Sequence, residues 1–459
     1  MNETLEKFKS WVRGKKVALL GFGISNRAAV DLLLSMGAIL SARDKDPAPD
    51  AETTEFLTSR GVEMIFGEHY LENITEDVVL KSPGIRHDVP ALLDAVENGV
   101  VITSEMEIFV TLCPAPIFAV TGSDGKTTTT TVTAKMLETT GKRVYLGGNI
   151  GTPLLPMVEE MTAEDLVVLE LSSFQLHTMR FSPAVAIVTN VTPNHLNWHT
   201  SMEEYVESKK NIYLTQKAEA RLVLNAENEV TAKMAGQAPA RVTLFSSKRR
   251  PALTPCCYYE NETIFYDDGS GARAVMTRGD IKVVGMHNVE NYMAAISAVM
   301  GYVSFEGMRA VARTFGGVRH RIELVAEKRG VRYYNSSIDS SPTRSLAALA
   351  SFEEPLIVIA GGYDKHIPLE PLIPSLAAKA EFIVLTGQTG VKLLSLLQEY
   401  GYPMANTVYI GKFDDAVHYA ERIAKEGDIV LLSPAAASFD AFKNFEERGD
   451  RFCELVREI

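Results

Sequence analysis

Residues 117–131 read Ile-Phe-Ala-Val-Thr-Gly-Ser-Asp-Gly-Lys-Thr-Thr-Thr-Thr-Thr. The apolar run IFAV predicts a buried strand, and a tight turn with Gly122 and Gly125 follows. Beyond Lys126 and Thr127, TVTAKMLETTGKRV has helical spacing. Strand, glycine turn, Lys-Thr and helix in this order make a phosphate cradle, because backbone N–H groups and a helix N-terminus point at an anion. Gly122, Ser123, Asp124, Gly125, Lys126, Thr127 and Thr128 are the candidate cradle residues. Lys126 supplies a point charge for β/γ-phosphates, and the Thr127 hydroxyl can ligate Mg²⁺. The strict pattern has a glycine where this chain has Val120. A chance glycine turn before a helix is the bland alternative.

Either side of this loop the chain alternates short apolar strands with amphipathic helices, which predicts parallel sheets covered by helices. KVALLGFG, AILSARD, DVVLKSPG and VITS are the strands of a first region ending near Ser104. LVVLELSSF and PAVAIVTNV follow the loop, and residues 221–284 are richer in β-branched and turn residues. FGGVRHRIE breaks the pattern near Phe315; PLIVIAGG, FIVLTG, TVYIG and DIVLLSPA then alternate with helices again. The expected architecture is α/β in three domains, 1–104, 105–315 and 316–459. The first and last are Rossmann-like, and the central one is a P-loop ATPase-type domain. At 459 residues the chain is too long for one core.

A net charge of −12 argues against nucleic acid or an anionic membrane as main partner, so local positive charge must hold any anionic substrate. Cys113, Cys256, Cys257 and Cys453 lack disulfide or zinc spacing, which points to a reducing cytoplasm. The charged start MNETLEKFKSWVRGKK does not read as a signal peptide, and no apolar run approaches the ~20 residues of a membrane span.

Further candidates sit at strand ends. The turn Gly21-Phe22-Gly23-Ile24-Ser25-Asn26 lacks the third glycine of a dinucleotide fingerprint, and Asp44 follows at a strand end where a ribose or base contact is expected. A ligand-free turn and NAD binding are both open readings of it. Gly147-Gly148-Asn149 allows close backbone approach, and Asn149 can bond a substrate amide or phosphate. Glu170 ends a strand near the phosphate loop, where a Mg²⁺ ligand belongs; His195 ends the next strand. His287 and Asn291 share one helix face at i and i+4, with Asn288 able to cap that helix. Arg321 suits a bidentate phosphate contact.

TGSDGKTTT, LELSSFQL, HNVEN, HRIE and SFDAFKNFEERG together resemble the Mur ligase family, whose members join an amino acid to a carboxylate through an acyl phosphate. The resemblance spans all three regions and implies ATP as cofactor with Mg²⁺ at two sites. It implies a UDP-sugar on the first domain, with Ser25 and the Ser82-Pro83-Gly84 turn facing the diphosphate and Asp44 and Lys45 near the uracil. It places Thr127, Glu170, His195 and a carbamylated lysine around the metals. Spacing to Tyr213 selects Lys209 over Lys210 for that carbamate. His287, Asn288, Asn291 and Arg321 would lie along ATP. In Asn335-Ser336-Ser337-Ile338-Asp339-Ser340, the family's usual Asp and Lys are replaced by Ser336 and Ile338, while Ser340 keeps a hydroxyl.

LLSPAAASFDAFKNFEERGDRF resembles the branch of that family that adds D-glutamate to UDP-N-acetylmuramoyl-L-alanine, which implies that Lys365, Ser438 and Phe445 hold the amino acid. Catalysis would rest on Lys126, Lys209 and His195, in a cytoplasmic monomer. The alternatives are another branch of the family or a folylpolyglutamate synthetase, an NAD-dependent oxidoreductase, and a non-catalytic nucleotide sensor.

Overall fold

The computed structural model describes residues 2–458. Three sheets carry the fold. The first is five-stranded and parallel, in the order Glu63–Phe66, Ile39–Asp44, Lys16–Leu20, Val78–Lys81, Val101–Thr103. The strand Lys16–Leu20 is central, so the turns that leave it and Val78–Lys81 lie side by side at one edge.

The second sheet has nine strands. From one edge they run Val144–Gly148, Leu166–Glu170, Ile117–Thr121, Val185–Val188, Arg221–Asn225, Arg241–Ser246 and Cys256–Glu260, each parallel to the next. Thr263–Asp267 then pairs antiparallel, and Ala272–Thr277 forms the far edge. The β-branched stretch 221–284 thus extends the sheet. The phosphate-loop strand lies between the strand ending in Glu170 and Val185–Val188, with Val120 opposite Glu170 and Thr121 opposite Val188. This register puts both strand ends beside the loop.

The third sheet runs Glu323–Lys328, Val331–Asn335, Ile429–Leu432, Leu356–Gly361, Ala380–Thr386, Thr407–Tyr409, with only the first pair antiparallel. Both faces are buried, as a parallel sheet covered by helices requires. Leu356, Val358 and Leu431 pack on one side, Ile357, Ile359 and Leu432 on the other.

The chain divides into two compact units, Met1–Met276 with Glu290–Met308, and Thr277–Val289 with Arg309–Ile459. The first two sheets belong to the first unit and the third to the second. Within the first unit one apolar cluster is continuous from Leu5 and Leu33 through Phe109 and Leu155 to Val188, so its two sheets share a core. Among the described residues no helix is long and apolar enough to cross a membrane.

Candidate active site

The phosphate loop forms as its sequence predicts, with Ile117–Thr121 as strand and Lys126–Glu138 as helix, and Gly125 at the N-cap with φ +76°. The glycines have a steric reason. A Cβ on Gly122 would lie 1.9 Å from Thr189 Oγ1, and one on Gly125 would lie 2.3 Å from Asn291 Oδ1. Asn291 therefore packs on the loop, and its Oδ1 also accepts from Thr129 Oγ1 at 3.2 Å.

Ser123 and Asp124 shape the loop. The Ser123 N–H donates to Asn190 O at 2.9 Å and the Asp124 N–H to Asn190 Oδ1 at 2.9 Å. Ser123 Oγ lies 2.9 Å from Tyr205 Oη and bonds both backbone groups of Thr192. The helix Lys126–Glu138 starts at this loop, and a helix N-terminus suits an anion. Asn190 was not legible in the sequence, where it reads as an ordinary loop amide.

Two lysines converge on one carbonyl. Lys126 Nζ donates to Gly122 O at 3.0 Å and Ser123 O at 2.9 Å. Lys209 Nζ donates to the same Gly122 O at 2.8 Å and sits 4.6 Å from the Tyr205 ring centroid. Lys209 is 1% exposed; burial first, then the charge of Lys126, holds its pKa well below the ordinary value. Lys210 instead pairs with Glu207 at 2.6 Å. The helix Met202–Lys210 thus turns one lysine inward and one outward.

Glu170 is 1% exposed. Its Oε1 accepts from Asn149 Nδ2 at 2.9 Å, and its Oε2 is buried with no hydrogen-bond partner among the described residues. Asn149 N–H also donates to Glu170 O at 2.7 Å. The Gly-Gly-Asn turn is glycine-rich because a Cβ on Gly148 would come 2.1 Å from Glu170 O. Asn149 therefore aims Glu170, and an orphaned carboxylate oxygen suits a hard cation. His195 is exposed, with φ +56°, and its ring packs 5.0 Å from Phe174. Partial desolvation, then the charges of Lys126 and Lys209, keeps its imidazole below the ordinary pKa and hence neutral at pH 7.

In the first sheet the two strand-end turns touch: a Cβ on Gly21 would lie 2.7 Å from Ser82 Cβ. Asn26 stitches them, donating to Leu20 O, Gly21 O and Leu80 O. Ser25 lies at the start of the helix Ile24–Ser35. Asp44 accepts from Phe22 N–H at 2.6 Å and from Asp46 N–H at 3.0 Å, so its carboxylate already braces the glycine turn, and Lys45 next to it is exposed. That use of Asp44 weighs against the dinucleotide reading, which needs it for a ribose. Gly84 is exposed, and its carbonyl accepts from Trp198 Nε1 at 2.9 Å. Lys81, which sequence reasoning passed over as a strand residue, is 3% exposed beneath this turn and donates to Ile85 O at 3.2 Å.

His287 and Asn288 belong to the second unit. Asn288 Nδ2 donates to Val284 O at 2.6 Å, which ties the helix start, and the His287 ring folds over Gly285. Arg321 follows His320, a buried residue with φ +62° whose Nδ1 is 3.0 Å from Asn335 Nδ2.

Three loops leave adjacent parallel strands of the third sheet. Tyr363 N–H donates to Ala437 O at 2.8 Å, joining two of them. Ser438 Oγ is buried and has no partner among the described residues. Lys365 is exposed, with Nζ 5.2 Å from the Phe439 ring centroid. Phe445, expected to wall the amino-acid pocket, instead turns its ring toward His320 at 6.2 Å, while its carbonyl accepts from Ser337 Oγ. The aromatic beside Lys365 is Phe439. Ser340 N–H donates to Ile338 O at 2.7 Å within its loop.

Arg448 was missed because it sits in the charged run FEERGDR and reads as surface. It is 2% exposed and donates to Ser337 Oγ and O and to Ala436 O and Ala437 O. Burial pushes its pKa down to about 10.

Among the described residues, the group of three side chains placed to share a metal is His177, His199 and Glu204. Arg86 already engages both oxygens of Glu204, and its charge opposes a cation there.

This geometry is a P-loop site with a metal-ready carboxylate and a buried lysine. The family profile of the Mur ligase middle domain matches residues 120–299, and that of the Mur ligase glutamate ligase domain matches residues 320–436. The chain belongs to the Mur ligase family. It is 49% identical over 466 residues to the UDP-N-acetylmuramoylalanine–D-glutamate ligase of Acetivibrio thermocellus, and 46% identical over 469 residues to that of Clostridium perfringens, covering 100% of both chains each time. Its fold resembles UDP-N-acetylmuramate-alanine ligase MurC from Thermotoga maritima, with TM-score 0.58, 20% identity and coverage of 97% of this chain and 99% of the other. It also resembles E. coli FolC in complex with DHPP and ADP, with TM-score 0.54, 16% identity and coverage of 77% and 91%.

Proposed function

We propose that the chain adds D-glutamate to UDP-N-acetylmuramoyl-L-alanine at the expense of ATP, a step of peptidoglycan precursor synthesis. The terminal carboxylate of the UDP-linked alanine attacks the γ-phosphorus, giving an acyl phosphate and ADP. The amine of D-glutamate then attacks the acyl carbon, an amide forms, and phosphate leaves. Near 49% identity over the full length to a ligase of this name supports the substrate pair. The observation that carries the chemistry is the pair of lysine Nζ donors on Gly122 O, one of them within electrostatic reach of Glu170, whose Oε2 is unpartnered among the described residues.

Lys126 and the helix N-terminus offset charge on the transferred phosphoryl group, and Asn149 orients Glu170. Mg²⁺ fits this edge: Glu170 Oε2, the Thr127 hydroxyl, His195 and a carbamate on Lys209 would hold it at two sites, where it would neutralise phosphate charge. Lys209 suits carbamylation because burial and the charge of Lys126 lower its pKa and so ease formation of the neutral amine that adds CO₂ with loss of a proton. The resulting anion would replace a buried like-charge pair, Lys126 and Lys209, with an opposite-charge one.

Ser25, Lys45, Ser82 and Gly84 are proposed to contact the UDP moiety, with Asp44 acting through the turn that it braces. Lys365, Ser438 and Ser340 are proposed to hold D-glutamate, with Phe439 beside Lys365. Cytoplasmic action fits four unpaired cysteines, and a monomer is the proposed state.

The test is phosphate release by the purified protein. It should require ATP, Mg²⁺, UDP-N-acetylmuramoyl-L-alanine and D-glutamate together. Equal release with L-alanine or L-lysine in place of D-glutamate would overturn the reading.

A further inference from the structure

Between the Gly84 turn and His195 lies a cluster that the reaction described above does not use. Arg86, two residues beyond Gly84, donates from Nη1 to Trp198 O at 2.9 Å and to Glu204 Oε2 at 3.2 Å, and from Nη2 to Glu204 Oε1 at 2.8 Å. Its guanidinium lies 4.9 Å from the Trp198 ring centroid, and Nε and Nη2 also bond Asp88. Trp198 returns the contact by donating from Nε1 to Gly84 O.

The same Trp198 is tied to the metal edge. The N–H groups of Trp198 and His199 both donate to His195 O at 3.0 Å. Phe174, four residues beyond Glu170, packs on His195, Trp198 and His199 together. Glu204 lies on the helix Met202–Lys210 that carries Lys209, and it accepts from Thr200 N–H and from the His177 imidazole as well. One partly buried ion pair therefore touches three pieces at once: the turn bearing Gly84, the segment bearing His195, and the helix bearing Lys209.

We propose that Arg86, Trp198 and Glu204 are positioning residues that set the UDP-substrate turn in register with the metal-binding His195 and Lys209. This rests on the ligand roles given above to Gly84, His195 and Lys209. A bidentate guanidinium–carboxylate pair fixes orientation as well as distance, and lysine cannot reproduce it. Trp198 transmits the position because its ring nitrogen and its backbone serve the two sides of the joint.

The experiment uses the full chain with Arg86→Ala, Arg86→Lys, Glu204→Gln and the double variant Arg86→Ala/Glu204→Gln. Calorimetry measures affinity for UDP-N-acetylmuramoyl-L-alanine, and electron paramagnetic resonance measures Mn²⁺ affinity, so neither depends on turnover. Each single variant should weaken both affinities by about 10- to 100-fold, the range found when outer-shell partners are removed. The KM for D-glutamate should stay within about twofold, because the other unit supplies that pocket. The double variant should be no worse than the worse single one, and free guanidinium ion should restore part of the loss in Arg86→Ala.

Unchanged affinities, or losses that multiply in the double variant, would overturn the inference. If Arg86→Ala does not fold, Arg86→Lys and Glu204→Gln decide by the same two affinities. Wild-type turnover with unchanged variant affinities removes this inference alone. Wild type that binds neither ligand removes the proposed function with it.

Discussion

A lysine buried to 1% exposure beside another lysine is costly as an ammonium, a cost that the charges of Asp124 and Glu170 offset only in part. A carbamate would remove the conflict. Lys209→Ala should lower turnover by about 100-fold or more, and acetate or formate should restore part of it. Lys210→Ala should behave as wild type, because that ammonium pairs with Glu207 and does not join Lys209 at Gly122 O. Steady-state assays with and without the added acid check both; an inactive Lys210→Ala with a normal Lys209→Ala would reverse the assignment. Ser438 presents the other unexplained polar atom. Removing a buried hydroxyl without a partner should leave the melting temperature unchanged or raise it. Ser438→Ala should nevertheless increase the KM for D-glutamate about tenfold, roughly one charge-assisted hydrogen bond, with the KM for ATP unaltered. A fall in stability with no change in that KM would make Ser438 a structural residue.

At the scale of elements, the turn between the strand Val144–Gly148 and Asn149 shows why glycine spacing and carboxylate geometry are linked. Gly148 has φ +98°, and its neighbour across the sheet is the carbonyl of Glu170. Backbone cannot yield as a side chain can, so Gly148→Ala should push the two strand ends apart and cost about 1–3 kcal/mol. It should also raise the Mg²⁺ concentration for half-maximal activity, since Asn149 and Glu170 move together. Gly236→Ala, with nothing within 4 Å of the added Cβ, is the matched control and should be silent in both readouts. Thermal melts and metal titrations of the two variants test this directly.

For the molecule as a whole, the second unit stores an electrostatic cost. Asp339 is 4% exposed, and burial raises its pKa to about 6, against hydrogen bonds from Ser336 and Ser433 that pull it down. A carboxyl whose pKa rises on folding favours the folded state only while protonated. Stability should therefore fall as pH rises from about 4 through 6, by an amount on the order of 3 kcal/mol. Asp339→Asn should flatten that part of the melting curve against pH and make the variant relatively more stable at pH 8 than at pH 5. A parallel offset of the two curves across this range would mean that Asp339 is not the titrating group.

Much of the fold was legible in the sequence because its signals are local. Apolar runs of strand length between helical periods dictate parallel sheets, and Gly122, Gly125 and Lys126 in one turn dictate a phosphate cradle wherever the chain goes next. Glu170 ends its strand as expected, whereas His195, expected at a strand end, lies in the loop beyond Val188, because that strand is shorter than its apolar run suggested. Tertiary structure alone decided the rest. Lys209 and Lys210 are adjacent and chemically alike; only the docking of their helix against Gly122 O and Tyr205 separates a buried amine from a surface one. Asp44 looked free for a ligand until Phe22 N–H took its carboxylate. Phe445 and Phe439 share one short run, and the packing of the last helix against His320 turned the first away from Lys365. Arg448 reads as surface charge and Arg86 carries no motif, yet their donors meet a carbonyl and a carboxylate more than a hundred residues away. Sequence spacing encodes period and turn chemistry, while a side chain's partner across such separations exists only once the sheets have brought their loops together.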